Sequence, residues 1–491
     1  MKHHALFFLC GITCIALATC SGTTAPQQPA MVVPRGDSVK VPASSRYHKP
    51  GLLRQFFIGG NYRKEWGTPV TMPVLHLATT GLAIKELGGG QQTKSLKLKD
   101  ARGLEWALRT VDKDVEKALP EKLRNTLAEK IVQDLISAAN PYAPLVVAQL
   151  AKAVQVPAPD PKLYFVPDDP AFGEYRKIFA NQICYLELRD PTLDATESRN
   201  SEYLLTQMAQ DNKVLIMQEE VLRGRLLDML IADWDRHADQ WRWGSVDSAG
   251  AKYFYAIPRD RDQAFFTATG LIPRVGKAVA MQHLNWYKQD MRGLDKLNYK
   301  SREFDRIYLN ELDRQDWQRI INEVVQNWND GVIEAAVAKL PPPVLSISGK
   351  EITQKLKGRR DDMLKSVLQY YGQLATEVQV WGSKDAELFE VSNDGDKVRV
   401  QVYVMGPKQQ KGLLRYDRLF DPSETKALHL DGLGGADRFE VKEYQGRKPK
   451  LYLYGDKEDA VFAVPKNGGV EFHSANKNRT TGMVLRKEQK N

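Results

Sequence analysis

The chain has 491 residues, 42% hydrophobic and 27% charged, the balance of an ordinary globular protein whose length calls for two or three domains. Its 70 Lys and Arg against 61 Asp and Glu leave a formal charge of +9. That excess is spread along the chain rather than clustered, and anionic lipid, glycan or nucleotide phosphate fits it better than nucleic acid.

Lys2 followed by the apolar residues 5–18 reads as a secretory signal over residues 1–19, too short to span a membrane as a mature helix. Leu17-Ala18-Thr19-Cys20 resembles a bacterial lipobox. It implies lipidation at Cys20 and a place in the cell envelope, at the periplasmic face or the cell surface, held to the membrane by lipid alone. Plain secretion with cleavage nearby is the alternative. Cys10 and Cys14 lie inside the signal, so Cys20 and Cys184 remain, which excludes a disulfide framework and a Cys-based metal site. Residues 20–50, rich in Pro, Ser, Thr and Gly, read as a tether. No later stretch is long or apolar enough for a transmembrane helix.

Folded structure is expected from residue 51. In 51–75, aromatics interleave with Arg54, Arg63, Lys64 and Glu65, a pattern that suits packing on the domain or docking on a neighbouring barrel. Gly88-Gly89-Gly90-Gln91-Gln92-Thr93-Lys94-Ser95 sits between two strand-like runs. Glycines at a hairpin tip let backbone N–H groups approach phosphate oxygens without Cβ obstruction, though three glycines also make an ordinary turn. A strand at 96–98, a turn at 100–103 and a strand carrying Trp106-Ala107-Leu108-Arg109 follow. Helical periodicity covers 119–137 and 142–154, offering Glu129, Asp134 and Gln149 as partners for Arg109 without choosing among them. Strands are expected at 164–166 and within 174–188, closing a first region over 51–190.

The region 191–375 holds the densest chemistry. An amphipathic helix with Leu222, Leu226, Met229 and Leu230 on one face ends near Asp233. Asp235, Arg236, His237, Asp239 and Gln240 follow within six positions. Strands at 240–243 and 253–257, joined by the turn-rich 245–252, then deliver Asp260 and Asp262. Folding that hairpin back brings Asp235 and Asp260 to one end. One carboxylate can then orient a nucleophile while another holds a divalent ion. The bland alternative is a charged hairpin whose carboxylates pair with Arg236, Arg242, Arg259 and Arg261. A metal-dependent hydrolase would use the same carboxylates, but the His-rich ligand set of most two-metal phosphoesterases is missing. Residues 277–372 read as mostly helical, broken at Pro341-Pro342-Pro343, with Arg359 and Arg360 on a solvated face. From Thr376 the period changes to two, in seven short runs, so 376–491 reads as a β-rich domain, a small sandwich or a short solenoid.

The pair D-R-H-A-D-Q (235–240) and P-R-D-R-D-Q-A-F (258–265) resembles the catalytic and metal loops of atypical kinases. The closest likeness is to spore-coat CotH-type kinases, whose second loop reads P-W-D-x-D-x-x-F; Golgi secreted kinases and phosphoinositide kinases are further off. After about residue 45 the chain also resembles a domain of Bacteroidetes-type cell-envelope proteins that is often fused ahead of an outer-membrane barrel. The resemblance implies an α+β, two-lobed, atypical protein-kinase-like domain ahead of the β-rich domain. It implies catalytic residues among Asp235, Arg236 and His237, with His237 orienting its loop. Mg²⁺ or Mn²⁺ would sit on Gln240, Asp260 and Asp262. ATP or another nucleotide would be cradled by Gly88, Gly89, Gly90, Gln91, Thr93 and Ser95 and neutralised by Arg109. Arg109 stands where kinases carry Lys, and guanidinium is not a like-for-like substitute. That departure keeps open a second reading, a catalytically inactive kinase-fold binding or assembly module working with an outer-membrane barrel protein.

Overall fold

The computed structural model describes residues 37–474, apart from 48–50, 89–93, 116–118, 120, 194–196, 280–283, 285, 443, 445–447, 456–459 and 465–469. The signal segment and Cys20 therefore lie outside the described residues. Within the span expected to be a tether, the chain is already folded at β1 (Ser38–Val41), which pairs antiparallel with β2 (Val70–Pro73). Composition hides this strand. Val39 and Val41 still alternate inward, and Tyr47 is buried against Trp66, ring centroids 5.1 Å apart. The short helix α1 (Leu52–Ile58) follows on the surface.

A five-stranded antiparallel sheet forms the first lobe. Its strands are β3 (Ala83–Gly88), β4 (Ser95–Lys99), β5 (Glu105–Thr110), β6 (Lys162–Val166) and β7 (Gln182–Leu188), in the order β3-β4-β5-β7-β6. Alternation sinks Leu96, Leu98, Leu108, Leu186 and the free thiol of Cys184 into one core and turns Ala107, Arg109, Tyr185 and Glu187 to the other face. Burial pushes the Cys184 thiol far above its ordinary pKa, so it is an inert core group. Between β5 and β6 run α2 (Leu127–Leu135) and α3 (Ala143–Ala153). Part of the stretch expected as strand at 174–188 is helical instead, at Pro170–Tyr175 and Arg176–Phe179. Asn181, at φ +57°, turns the chain into β7.

The second lobe is helical around a small sheet. α4 (Gln218–Leu230) buries Leu222, Leu226, Met229 and Leu230. Order in the small sheet is β8-β10-β11-β9, made of β8 (Arg199–Asn200), β9 (Val214–Ile216) and the hairpin β10 (Trp241–Ser248) with β11 (Ala251–Pro258). Ala249 and Gly250 both have positive φ, 50° and 78°, the type I′ turn that suits strand twist. α5 (Leu271–Val279), α6 (Arg314–Asn327) and the 26-residue α7 (Lys350–Ala375) complete the lobe. Arg359 of α7 is not on a solvated face. It is 3% exposed and donates to the carbonyls of Met229, Leu230, Lys288 and Asp290. The basic helix turns this one guanidinium inward to satisfy carbonyls at the end of α4.

After α7 the chain alternates between two sheets. One is parallel throughout, in the order β12 (Glu377–Ser383), β16 (Ala427–Leu433), β18 (Lys450–Gly455), β20 (Val470–Ser474). The other runs β15 (Lys411–Phe420), β14 (Lys397–Met405), β13 (Glu387–Asp394), β17 (Arg438–Val441), β19 (Val461–Ala463), with β13, β17 and β19 parallel. Of the two expected forms this is the short solenoid. Phe389, Phe439 and Phe462 stack at 4.6 and 5.0 Å through successive coils. Neither sheet closes into a barrel. The first coil and its β14–β15 hairpin dock on the helical lobe, through Tyr416 Oη to the Asn310 carbonyl at 2.7 Å and Asn310 Nδ2 to the Gln379 carbonyl at 2.8 Å. No helix among the described residues is long and apolar enough to cross a membrane. The chain is α+β, two lobes followed by a β-rich domain.

Candidate active site

The hairpin register sets the site. Trp241 pairs with Pro258, so the segments carrying Asp235 and Asp260 leave the strands at the same end. Asp260 takes the left-handed conformation, φ +54°, an unfavourable geometry of the kind concentrated at functional sites. Its carboxylate meets Arg109 across the lobes, Oδ1 to Nη2 at 2.8 Å. Arg109 Nη1 also reaches Glu187 on the neighbouring strand at 3.3 Å, and Lys113, just past β5, pairs with Asp262. One lobe thus supplies two cations and the other two carboxylates. Burial alone would raise the Asp260 pKa, but Arg109 and Lys113 outweigh it and hold the carboxyl well below its ordinary range. Burial and the neighbouring Asp260 push Asp262 up against the pull of Lys113. Asp260 also strengthens the positive charge on Arg109.

These groups line a cavity of about 400 Å³ that also takes in Asp235 and Glu187. Val111, Val147, Pro161, Tyr185 and Phe266 give it an apolar wall, the mix of convergent polar groups and apolar surface typical of ligand sites. Lys300 Nζ donates to Asp235 Oδ1 at 2.8 Å, and the Asp235 N–H donates to Asp233 Oδ1 at 3.2 Å. Asn140 lines the same cavity, and its Nδ2 is buried with no partner among the described residues.

Behind the loops lies a buried ionic network. Asp228 of α4 accepts from Arg225 Nη1 at 3.0 Å and Arg261 Nε at 2.9 Å and lies 3.2 Å from Arg236 Nε. Arg225 also holds Asp305 at 2.7 Å. Burial pushes Asp233 up to about 7 despite the attraction of Arg236.

Five expected site residues do not reach the cavity. Arg236, read as catalytic, is 1% exposed and spans Asp233, Asp228 and the Arg259 carbonyl, so it braces the loop from below. His237 points outward, its Nδ1 3.9 Å from the exposed Asp239. Gln240, read as a metal ligand, turns its Oε1 to the His237 N–H at 3.4 Å and closes the loop on itself. Gly88 and Ser95 face each other at the ends of β3 and β4 and do not line the cavity. Gly89, Gly90, Gln91 and Thr93 lie outside the described residues.

None of Glu129, Asp134 and Gln149 partners Arg109. Asp134 binds Arg63 and Arg54, Glu129 accepts from the Asn125 N–H, and Gln149 lies in a separate surface hollow beside Met72. Glu187 takes that place because Ala107 pairs with it, setting it diagonal to Arg109 on one face. Lys113, Glu187, Asp228 and Lys300 were missed from sequence. Only Glu187 carried a signal there, as the single charge in the apolar run 183–188.

Asp260 and Asp262 suit a hard divalent cation that takes one or two carboxylates and completes its shell with water and phosphate oxygens. Among the described residues no group of three or more His, Cys, Asp or Glu is placed to hold a metal by itself. No family model and no curated protein matches the chain. Solved structures do. The Helicobacter pylori proinflammatory kinase CtkA matches at 11% identity and TM-score 0.34, over 62% of this chain and 99% of its own. The Chaetomium thermophilum Rio2 kinase, in a complex with ADP/Mg²⁺-phosphoaspartate, matches at 13% and 0.29, over 65% and 84%. Shewanella oneidensis HipA, from a toxin–antitoxin complex with HipB and operator DNA, matches at 11% and 0.27, over 69% and 76%. At such scores the likeness is one of outline, and function rests on the side chains of the cleft.

Proposed function

We propose that the chain is an envelope phosphotransferase with an atypical kinase-like catalytic domain. The observation that carries this reading is the meeting of Arg109 and Lys113 from the sheet lobe with Asp260 and Asp262 from the hairpin, in one cavity with Asp235. Asp260 and Asp262 would hold Mg²⁺ or Mn²⁺, which supplies charge neutralisation on the phosphates of ATP or another nucleotide. Arg109 and Lys113 swing from the carboxylates to phosphate oxygens. Asp235 accepts a hydrogen bond from the acceptor hydroxyl and takes its proton as the new O–P bond forms and the bond to the departing nucleotide breaks. Lys300 holds Asp235 in place through the hydrogen bond from its Nζ to Oδ1. Such chemistry is mostly positioning and electrostatics, so a few fixed charges suffice. The test is thermal stability with ATP, GTP or a UDP-sugar, with and without Mg²⁺ or Mn²⁺, since a ligand of the native state raises its melting temperature. A shift that requires metal supports the reading. No shift in any combination sinks it.

One observation favours a second reading. Arg109 already occupies Asp260, at 2.8 Å, so a cleft locked by its own ion pairs would bind no metal. The chain is then an inactive kinase-fold module for binding or assembly, working with an outer-membrane barrel protein. Under either reading the likeness of residues 17–20 to a lipobox supports an envelope location through lipid on Cys20. Mass spectrometry of the mature N-terminus should find diacylglyceryl-Cys20, and an unmodified start elsewhere would replace the anchored form with a secreted one.

A further inference from the structure

We infer that the face built by α1 and α5 is a docking surface for an anionic lipid bilayer. Seven of the fourteen most exposed large apolar side chains among the described residues gather on these two short helices. On α1, Leu52 is 88% exposed, Leu53 76%, Phe56 63% and Phe57 40%; Leu271, Ile272 and Val275 on α5 lie between 37% and 53%. Single exposed leucines need no explanation, but a cluster of this size marks an interaction site.

The cluster is preformed. α1 ends at Gly59 and α5 begins after Gly270, and there the two backbones touch. A Cβ on Gly270 would lie 2.2 Å from the carbonyl carbon of Ile58, a contact only glycine permits. Gly60 N–H donates to Thr269 Oγ1 at 3.1 Å, and Thr269 N–H donates to Asn61 Oδ1 at 3.2 Å. The helices are therefore pinned side by side, with their apolar chains outward.

Charge selects the occupant. Neither helix contains an acidic residue; Arg274 and Lys277 are the charges of α5, and Arg54 of α1 shares the buried Asp134 with Arg63, two cations against one carboxylate. Aromatic and long aliphatic chains with an exclusively basic complement are the composition of helices that lie in the headgroup region of anionic membranes. The formal charge of +9 acts in the same direction.

A nitrobenzoxadiazole probe at Phe56→Cys in the full chain reads this contact, with the same probe at Tyr299→Cys, a 58% exposed site on the helical lobe, as reference. Both proteins carry the same N-terminus, so an anchor there moves both alike. With phosphatidylglycerol vesicles the probe at 56 should brighten by about twofold and shift to the blue while that at 299 stays as in water. Leu53→Ser with Phe57→Ser should weaken vesicle binding about tenfold by removing buried apolar area. These positions are exposed, so the fold is spared. A probe at 56 that responds no more than the one at 299 overturns the inference. So does an equal response to phosphatidylcholine vesicles, or protection of position 56 by solubilised envelope proteins and not by vesicles, which would give the face to a protein partner.

Discussion

Asp228→Asn is expected to be the most damaging single-atom-scale change near the cleft, although Asp228 touches no part of it. The carboxylate is 1% exposed and serves three guanidiniums, those of Arg225, Arg261 and Arg236, at 2.9–3.2 Å. Opposite these three cations stand Asp228, Asp233 and Asp305, so the buried charges balance while all are ionised. Asp233, whose carboxyl burial pushes up against the attraction of Arg236, is already engaged by Arg236 and cannot make up a missing charge. Breaking a buried ionic set costs about 3–5 kcal/mol. Asn keeps the shape and one acceptor, which argues for the lower end, about 3 kcal/mol. An exposed pair such as Arg306–Glu303 is worth at most about 1 kcal/mol. At about 2–4 °C per kcal/mol the melting temperature should fall by about 6–12 °C, read by calorimetry at pH 7. Arg236 and Arg261 belong to the two acidic loops, so metal-dependent nucleotide affinity should fall as well. A variant within about 1 °C of the parent would refute the claim that this network, and not apolar packing, holds the loops.

Asp260→Ala and Arg109→Ala should abolish the metal-dependent stabilisation by nucleotide, whereas Asp235→Asn should keep it and lose phosphotransfer; equal loss in all three would erase the proposed division of roles. In the β domain, burial and Glu387 push the carboxyl of Asp437 up to about 9. A raised folded pKa means stability that is complete below the unfolded value near 4 and lost as pH rises, the loss ending near pH 9. Melting temperature should thus fall from pH 5 to pH 9 more steeply in the parent than in Asp437→Asn, and parallel curves would count against it. A fragment of residues 376–491 should melt cooperatively, since Val380, Val400, Leu430, Leu453 and Phe439 form a core separate from that of the lobes; a broad, structureless transition would show that the coils need the helical lobe to fold.

The helix and hairpin around the acidic loops were legible because both signals are local. Two alternating runs about a turn determine the register, and that register brings Asp235 and Asp260 to one end; the stripe in α4 marked a helix but not its burial, since between Val221 and Leu230 every residue except Arg223 is buried. Lys113 was not legible, because its meeting with Asp262 depends on how the lobes stack. Arg359 looks like any cation on a basic helix. Its carbonyl partners at 229, 230, 288 and 290 come from far along the chain, beyond any periodicity. β15 is hard to read from the sequence because adjacent Leu413 and Leu414 break its alternation, and its pairing with β14 is shifted near Tyr403. Period two is common to sandwich and solenoid. The difference lies in β12 pairing with β16 across the intervening hairpin, a contact between distant segments.

That pairing makes length a free variable of this protein. Coils in a parallel stack meet mainly their neighbours, so stability grows by one coil and one interface at a time. The ties to the helical lobe come from Gln379, Lys384, Asp385 and Ala386 of the first coil, from Tyr416, Asp417 and Arg418 of its hairpin, and from Glu424 just before β16. A whole coil can therefore be inserted or deleted beyond β17 with the cleft left as it is, while an insertion of part of a coil would put Phe439 and Phe462 out of step and halt the stack. Natural variation among chains of this design should arrive in whole coils, making the far end a ruler whose length selection can reset without touching the chemistry.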